Sequence, residues 1–355
     1  AGRIPYAGMT GTELFAGYMA GRLLIRSADD YLRFVRFLLV ALAAMAPFAV
    51  YELLTERMII AEYLGRFFDV TEKNTATRLG LSRVQVVFQH SILFGLFCSL
   101  AAANVFYIYR GRVLKLANRL ALVIGMTFAS LSAAPLLSIL LQTLLVLWHR
   151  VTGGRWWLLA GLTAAFYVAV DLASNRTPVT ILIHYATFNV ETAWYRIHIW
   201  NYGTAEVMRH PLLGIGLNDW LRPSWMVSSS IDNFWLLTAM RYGLPALAAL
   251  TGAIGIHVAA IMRAPMSEER ARALRNGHLI ALTGVLMTLA TVHIWDALLV
   301  YVMFYIGAGT FVYTGHVAAN DSAAAARTPP PGPGDGRAPL PFSRTPPQPG
   351  RRGRR

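Results

Sequence analysis

Long apolar runs, separated by short basic connections, constrain this chain more than any other feature. A run of about 18 or more residues with few charges is long enough to cross the hydrocarbon core of a bilayer as a helix. The sequence offers eight candidates, at 34–54, 91–109, 120–131, 135–148, 156–173, 244–261, 279–292 and 297–313. The third and fourth are short: either two compressed helices meeting at Ser132 to Pro135, or one long span broken there by a proline that removes an intrahelical bond. Composition agrees, with 55% hydrophobic and 14% charged residues against about 25% charged in soluble domains. The expected fold is an all-α, polytopic transmembrane helical bundle.

The basic residues decide the expected orientation, because short cytoplasmic loops carry the excess of arginine and lysine. Arg110, Arg112, Lys115 and Arg119, then Arg150 and Arg155, then Arg263, Arg270, Arg272 and Arg275 fill three short connections. With eight spans these fall on one side, together with the N-terminal stretch and the tail, so both termini are expected in the cytoplasm. A net charge of +14 distributed this way is topogenic and does not point to nucleic acid. The single cysteine, Cys98, lies inside an apolar run, which excludes an intramolecular disulfide and a cysteine metal site. The chain begins at Ala1 with neither methionine nor a cleavable signal pattern, so further N-terminal spans are expected to be missing.

Two domains are expected: a membrane domain over 1–317 and a disordered, basic, Pro/Gly-rich cytoplasmic tail over 318–355. Two long segments, 55–90 and 174–232, face the opposite side. They are rich in tryptophan and tyrosine, whose rings suit headgroup level. Within the second, Glu191 to His210 reads as a helix along the interface with Trp194, Ile197 and Trp200 on one side; a helix packed against the spans, away from any substrate, is an equal alternative.

Ionisable residues gather on this outer side: Arg83, His90, Arg176, Arg196, His198, Arg209, His210, Asp219, Arg222, Asp232, Arg241, His293 and Asp296. Few lie near the middle of any span, where an ion-coupled transporter would need them. No metal-ligand spacing, Walker A segment or Ser-His-Asp signature stands out. An arginine-rich site edged by aromatics suits an anionic pyrophosphate whose lipid tail stays in the bilayer, since the guanidinium offers a planar fork of donors and keeps its charge.

The most informative stretch is Arg209-His210-Pro211-Leu212-Leu213-Gly214-Ile215-Gly216-Leu217-Asn218-Asp219-Trp220, followed by Ser230-Ile231-Asp232-Asn233-Phe234-Trp235 and Arg241-Tyr242-Gly243-Leu244-Pro245. It resembles the signature of the O-antigen ligase and polymerase family, in which a Pro-Leu-Leu-Gly-x-Gly turn precedes a His-Asn pair and a Gly-led span. Arg83 with Phe88, His90 and Gly95 looks like that family's approach to an earlier span, and Arg196 stands where it carries a functional arginine. The likeness covers roughly 83–309.

The resemblance implies a bacterial inner-membrane glycosyltransferase that needs no metal or cofactor and works with inversion. It would transfer a polyprenyl-pyrophosphate-linked oligosaccharide to a hydroxyl of an acceptor glycan or glycolipid, on the periplasmic side. Asp232 is then the expected base and Arg196 the group that steadies the departing pyrophosphate, with Arg83, Arg176, His210, Arg222, Asn233 and Arg241 binding substrate. Membrane lipids, chain-length regulators and flippase proteins are the implied partners. Two departures matter. Asp232 stands where ligases carry a histidine, which favours a polymerase-like relative, and Leu131 to Pro135 replaces a Ser-Arg-Gly turn, removing an expected arginine.

Each element also has a plainer reading. The glycines at 214 and 216 serve a tight turn, Asp232 caps the following helix, and Arg241, His293 and Asp296 anchor or satisfy span ends. The alternative function is a non-catalytic transporter or flippase for lipid-linked glycans.

Overall fold

The computed structural model describes residues 3–70, 77–78, 80–173, 181, 190–266 and 268–313. In chain order the elements are α1 (Arg3–Leu24), α2 (Ala28–Thr55), α3 (Ile59–Leu64), a small antiparallel pair β1 (Thr77–Arg78) and β2 (Leu81–Ser82), α4 (Ser91–Ser99), α5 (Ala102–Tyr109), α6 (Val113–Ala129), α7 (Ala133–Thr152), α8 (Trp156–Ala173), α9 (Val190–Arg209), α10 (Phe234–Arg263), α11 (Glu269–Thr288) and α12 (Asp296–Ala308). Six stretches among the described residues are long and apolar enough to cross a membrane: Ala28–Thr55, Ser91–Tyr109, Ala133–Thr152, Trp156–Ala173, Phe234–Arg263 and Asp296–Tyr313. The protein is a helical membrane bundle.

The expected spans at 120–131 and 279–292 fall in α6 and α11, whose charged first halves carry Lys115 and Arg119, and Arg270, Arg272 and Arg275. Both pack among the six. Between the α6 and α7 regions the chain makes two helices, not one broken span. Leu131 turns the backbone at φ 45°, and Pro135 sits in the first turn of α7, where its missing N–H has no helical partner to lose.

The bundle has two distinct ends. At one, Arg110 pairs with Glu269, and Arg270 with Asp29 at 2.6 Å. The short basic connections therefore gather together. At the other lie the β pair, the starts of α4, α7, α10 and α12, and the end of α11, whose Leu289 carbonyl accepts the Phe234 N–H at 2.9 Å.

The first helix departs from expectation. α1 runs parallel to α12: a Cβ on Gly17 would meet Val300, one on Gly21 would meet Phe304 and Ala308, and one on Gly307 would meet Tyr18 and Arg22. Small residues let two backbones approach closely in a bilayer, where packing replaces hydrophobic drive. The start of α1 consequently lies with Asp296, opposite the basic connections, whereas the basic-side placement had been expected. α1 escaped hydropathy reading because its buried face is glycine and Glu13 and Arg22 interrupt its apolar residues.

Candidate functional site

The segment after β2 enters the bundle under the control of a buried carboxylate. Glu52, near the end of α2 and only 2% exposed, accepts the N–H groups of Gln85 at 3.0 Å and Val86 at 2.8 Å. Val86 is held at φ 55°, an unfavourable conformation for a β-branched residue. The Val84 N–H reaches the Ala129 carbonyl at 3.1 Å. This anchoring buries Arg83, which donates to Ser132 Oγ at 2.9 Å. Arg78, across the β turn, donates to the Leu131 carbonyl at 3.1 Å. The turn at 131–135, which has no arginine of its own, thus receives two from the hairpin.

The same segment ends at His90, whose Nδ1 accepts the Ile92 N–H at 3.1 Å and caps α4. Burial, aided by Arg83 and Arg78 and opposed by Asp232, pushes the imidazole down to about 4. It is neutral at pH 7 and, with Nδ1 accepting, carries its proton on Nε2. Burial and Arg78 lower the Arg83 guanidinium to about 10. For Arg196, burial is the largest influence and also lowers it, with Asp232 opposing and Arg78 adding to the shift. Each shift has the sign of desolvated positive charge in want of an anion.

Arg196 comes from α9, which lies against the first turns of α10. Gly203 permits the approach, because a Cβ there would sit 2.8 Å from Leu236 Cδ2. Ile199 is buried in this contact, while Trp194 stays exposed, its ring stacked on that of the half-buried His198, which in turn stacks on Tyr202. The expected shared face of Trp194 and Trp200 is therefore not formed: Trp200 packs with Ile199 toward α10, and Trp194 points outward.

Asp232 and Asn233 divide two roles. Asn233 Oδ1 accepts the Leu236 N–H at 2.9 Å and caps α10. Asp232 is left outside the cap, with its carboxylate 3.7 Å from Arg196 Nε and its side chain 43% exposed against 11% for the arginine. Among the described residues, neither Arg196 Nε nor Arg83 Nε has a hydrogen-bond partner. Asp232 and Arg78 both act electrostatically on Arg196, and Asp232, Arg83 and Arg78 all act on His90, so three guanidiniums and a neutral histidine share one electrostatic neighbourhood with an accessible carboxylate, an arrangement suited to binding an anion and accepting a proton beside it.

The glycine-rich stretch and Arg241 to Pro245 form a single joint. Gly243, at φ 81° and ψ 171°, breaks α10 into two parts. The break leaves carbonyls without helical donors, and the preceding loop supplies them: Ile215 N–H to Met240 O at 2.7 Å, Gly216 N–H to Arg241 O at 3.0 Å, and, in return, Leu244 N–H to Pro211 O at 2.7 Å. A Cβ on Gly214 would lie 2.5 Å from Met240 O, and one on Gly243 would lie 2.3 Å from Leu212 O. These motifs shape the site without lining its arginine cluster.

Beyond the joint, Arg241 Nη1 donates to Tyr6 Oη at 2.6 Å and lines a separate, mostly apolar cavity of about 310 Å³ between α1, α10 and the start of α12, shared with His293 and Trp295. Burial, then Arg241, pushes His293 down to about 4. Gln89 Nε2 donates to Asp296 Oδ2 at 2.7 Å, tying the hairpin segment to α12.

Of the residues expected from sequence, the structure brings together Asp232, Arg196 and Asn233, with Arg83 linked to them through its influence, beside that of Asp232, on His90. His210 pairs with Glu206 at 3.7 Å at the far end of α9, about 21 Å along the helix from Arg196 at 1.5 Å per residue. Arg222 is engaged locally by Asp219, by the Met226 carbonyl at 2.8 Å and by the Trp220 ring. Arg241 belongs to the apolar cavity, and Arg176 lies outside the described residues. Sequence reading missed Arg78 and Glu52. The signal for Glu52 was there, a carboxylate closing the otherwise apolar run of α2; nothing local distinguished Arg78.

No family model matches the chain, and no curated protein matches its sequence.

Proposed function

We propose that the chain is a bacterial inner-membrane glycosyltransferase of the O-antigen polymerase or ligase kind, using a polyprenyl-pyrophosphate-linked oligosaccharide as donor and a sugar hydroxyl as acceptor. One observation carries this reading: Asp232, released from capping by Asn233, faces the buried Arg196 at the edge of the arginine cluster. The basic connections would lie in the cytoplasm, which puts the cluster on the periplasmic side, and membrane lipid would hold the polyprenyl tail.

In the proposed step the acceptor hydroxyl attacks the anomeric carbon while Asp232 takes its proton. The bond to the pyrophosphate oxygen breaks with its electron pair, and configuration inverts. The charge that develops on the leaving pyrophosphate falls to Arg196, Arg83 and Arg78, whose fixed donors stabilise it as it forms. Arrival of the pyrophosphate gives Arg196 a stronger partner than Asp232 at 3.7 Å, which frees the carboxylate to act as a base. Chain-length regulators and flippases would be partners of such an enzyme.

The test is reconstitution of the purified protein in liposomes with lipid-linked oligosaccharide. Longer glycan together with free polyprenyl pyrophosphate is the expected result. Translocation of unchanged donor, without new glycosidic bonds, would replace the enzyme by the transporter.

A further inference from the structure

The basic end of the bundle holds a cavity that glycosyl transfer does not use. About 550 Å³ in volume, it is bounded by Phe106, Tyr107 and Arg110 at the end of α5, Leu116 on α6, and His149 and Arg150 at the end of α7. Among the described residues no carboxylate lines it. Arg110 is ion-paired with Glu269, while Arg150 pairs with no carboxylate among the described residues and rests over the Phe106 ring at 5.9 Å.

The wall is fixed in advance. Tyr107 Oη and His149 Nδ1 are hydrogen-bonded, and the His149 ring stacks on Trp156 at 5.8 Å. Gly153 and Gly154, both at positive φ, make the tight turn that brings Trp156 there. A Cβ at Gly154 would lie 3.0 Å from the His149 ring. Val113 and Leu114 on one flank, and Val151 on the other, expose apolar side chains.

We propose that this cavity binds the phosphate of an anionic phospholipid headgroup, with Arg110 and Arg150 as the cationic contacts and the acyl chains running along the apolar flanks. The ligand chemistry is a phosphate ester. The Arg150 guanidinium, with no carboxylate of its own, and Arg110, which it would share with Glu269, select its charge, and the apolar rim at a bilayer surface selects lipid over a free anion. Basic pockets between membrane helices take such headgroups, each arginine adding about fivefold in affinity.

The experiment uses the full chain in neutral detergent, with lipid retention read by native mass spectrometry and thermal stability read by tryptophan fluorescence. Phosphatidylglycerol and phosphatidylcholine of matched chains are compared, with inorganic phosphate as a third arm. The expected result is preferential retention of phosphatidylglycerol and a rise in Tm that phosphate does not reproduce. Arg150→Gln should weaken retention about fivefold; Arg150→Lys, which keeps the charge, should restore most of it and controls for folding. Equal retention of both lipids would reduce the effect to bulk annular lipid, equal stabilisation by inorganic phosphate would assign a soluble anion, and unchanged retention in Arg150→Gln would empty the site of its main contact. Each of these results overturns the proposal.

Discussion

The Asp232 carboxylate stands 3.7 Å from Arg196 Nε, beyond ordinary hydrogen-bond length, so the two charges attract without locking together. A base held this way can be released when a better anion reaches the arginine. Asp232→Asn keeps the size of the side chain, and the α10 cap belongs to Asn233, so folding and lipid-substrate binding should persist while turnover falls by about 10² to 10⁴-fold, the usual contribution of a placed base. Polymer formation by purified, well-folded variant protein is the measurement. Wild-type rates would leave Asp232 as a counter-ion for Arg196.

Asn233→Ala makes the contrasting test. Losing an asparagine cap destabilises a helix by about 1 kcal/mol, so the Tm should fall while the chemistry at Asp232 survives in the remaining folded protein. A variant with unchanged Tm and no turnover would give Asn233 the substrate-binding role expected from sequence.

The hairpin arginines separate by burial. Arg78 donates one hydrogen bond to Leu131 and is only partly buried, so Arg78→Ala should leave the fold intact and weaken pyrophosphate binding about tenfold, the scale of one charge-assisted hydrogen bond. Titration with a short-chain polyprenyl pyrophosphate reads this directly. Binding as tight as wild type would confine Arg78 to anchoring the turn at Leu131.

How much of this was legible in the sequence differs from element to element. The runs that became α2, α4 with α5, α7, α8, α10 and α12 were visible because hydropathy reports a long apolar stretch whether it lies on the outside of the bundle, as α8 does, or is largely buried within it, as α4 with α5 is. α1 was not, because close packing on α12 uses glycines that hydropathy does not register. Asp232 and Arg196 were both singled out, but their pairing depends on Gly203 bringing α9 onto α10, a relation between positions far apart in sequence. The glycine motifs were read as turns; their tie to Met240 and Arg241 needed the break at Gly243 to be seen. Arg78 reaches the Leu131 carbonyl only because a hairpin folds back on the α6–α7 turn, and no local pattern encodes that.

The joint yields a stability prediction. Gly214→Ala places a methyl 2.5 Å from the Met240 carbonyl and Gly243→Ala places one 2.3 Å from that of Leu212, both at positive φ, so either should sharply reduce the yield of folded protein. Gly216→Ala meets nothing within 4 Å at φ 63°, leaving only backbone strain of about 1–2 kcal/mol. Size-exclusion profiles of the three variants should follow that order. Equal behaviour of all three would mean that the contact across the break is dispensable.

His90 sets an acid limit. Its folded value of about 4, caused first by burial and then by Arg83 and Arg78, lies below the usual 6.5. The unfolded chain therefore binds more protons between those values, so the stabilising contribution is present above about 6.5 and is lost as pH falls toward 4. His293 acts in the same sense. His90→Asn retains a capping side chain and removes one titration, so the fall in Tm between pH 7 and pH 4.5 should be smaller than in wild type. An identical fall would place the acid sensitivity elsewhere.

The parallel packing of α1 and α12 fixes a topological relation that can be tested without knowing any substrate. Because Gly17 meets Val300 and Gly21 meets Phe304, the exposed Met9 lies toward the same end as Asp296 and the Asp232 segment, while Gly111 lies with the basic connections that Arg110 and Glu269 join. Cys98 is the only cysteine and is buried, so Cys98→Ser gives a silent background. On it, single cysteines at Met9, Ser229 and Gly111 should separate into two classes with a membrane-impermeant thiol reagent. Met9→Cys and Ser229→Cys should react from outside intact cells, and Gly111→Cys only after the membrane is opened. The positive-inside bias sets which side is which; the pairing of Met9 with Ser229 comes from helix packing alone. Labelling of Met9→Cys and Gly111→Cys from one side, with Ser229→Cys from the other, would detach α1 from α12 and return the start of the chain to the basic face.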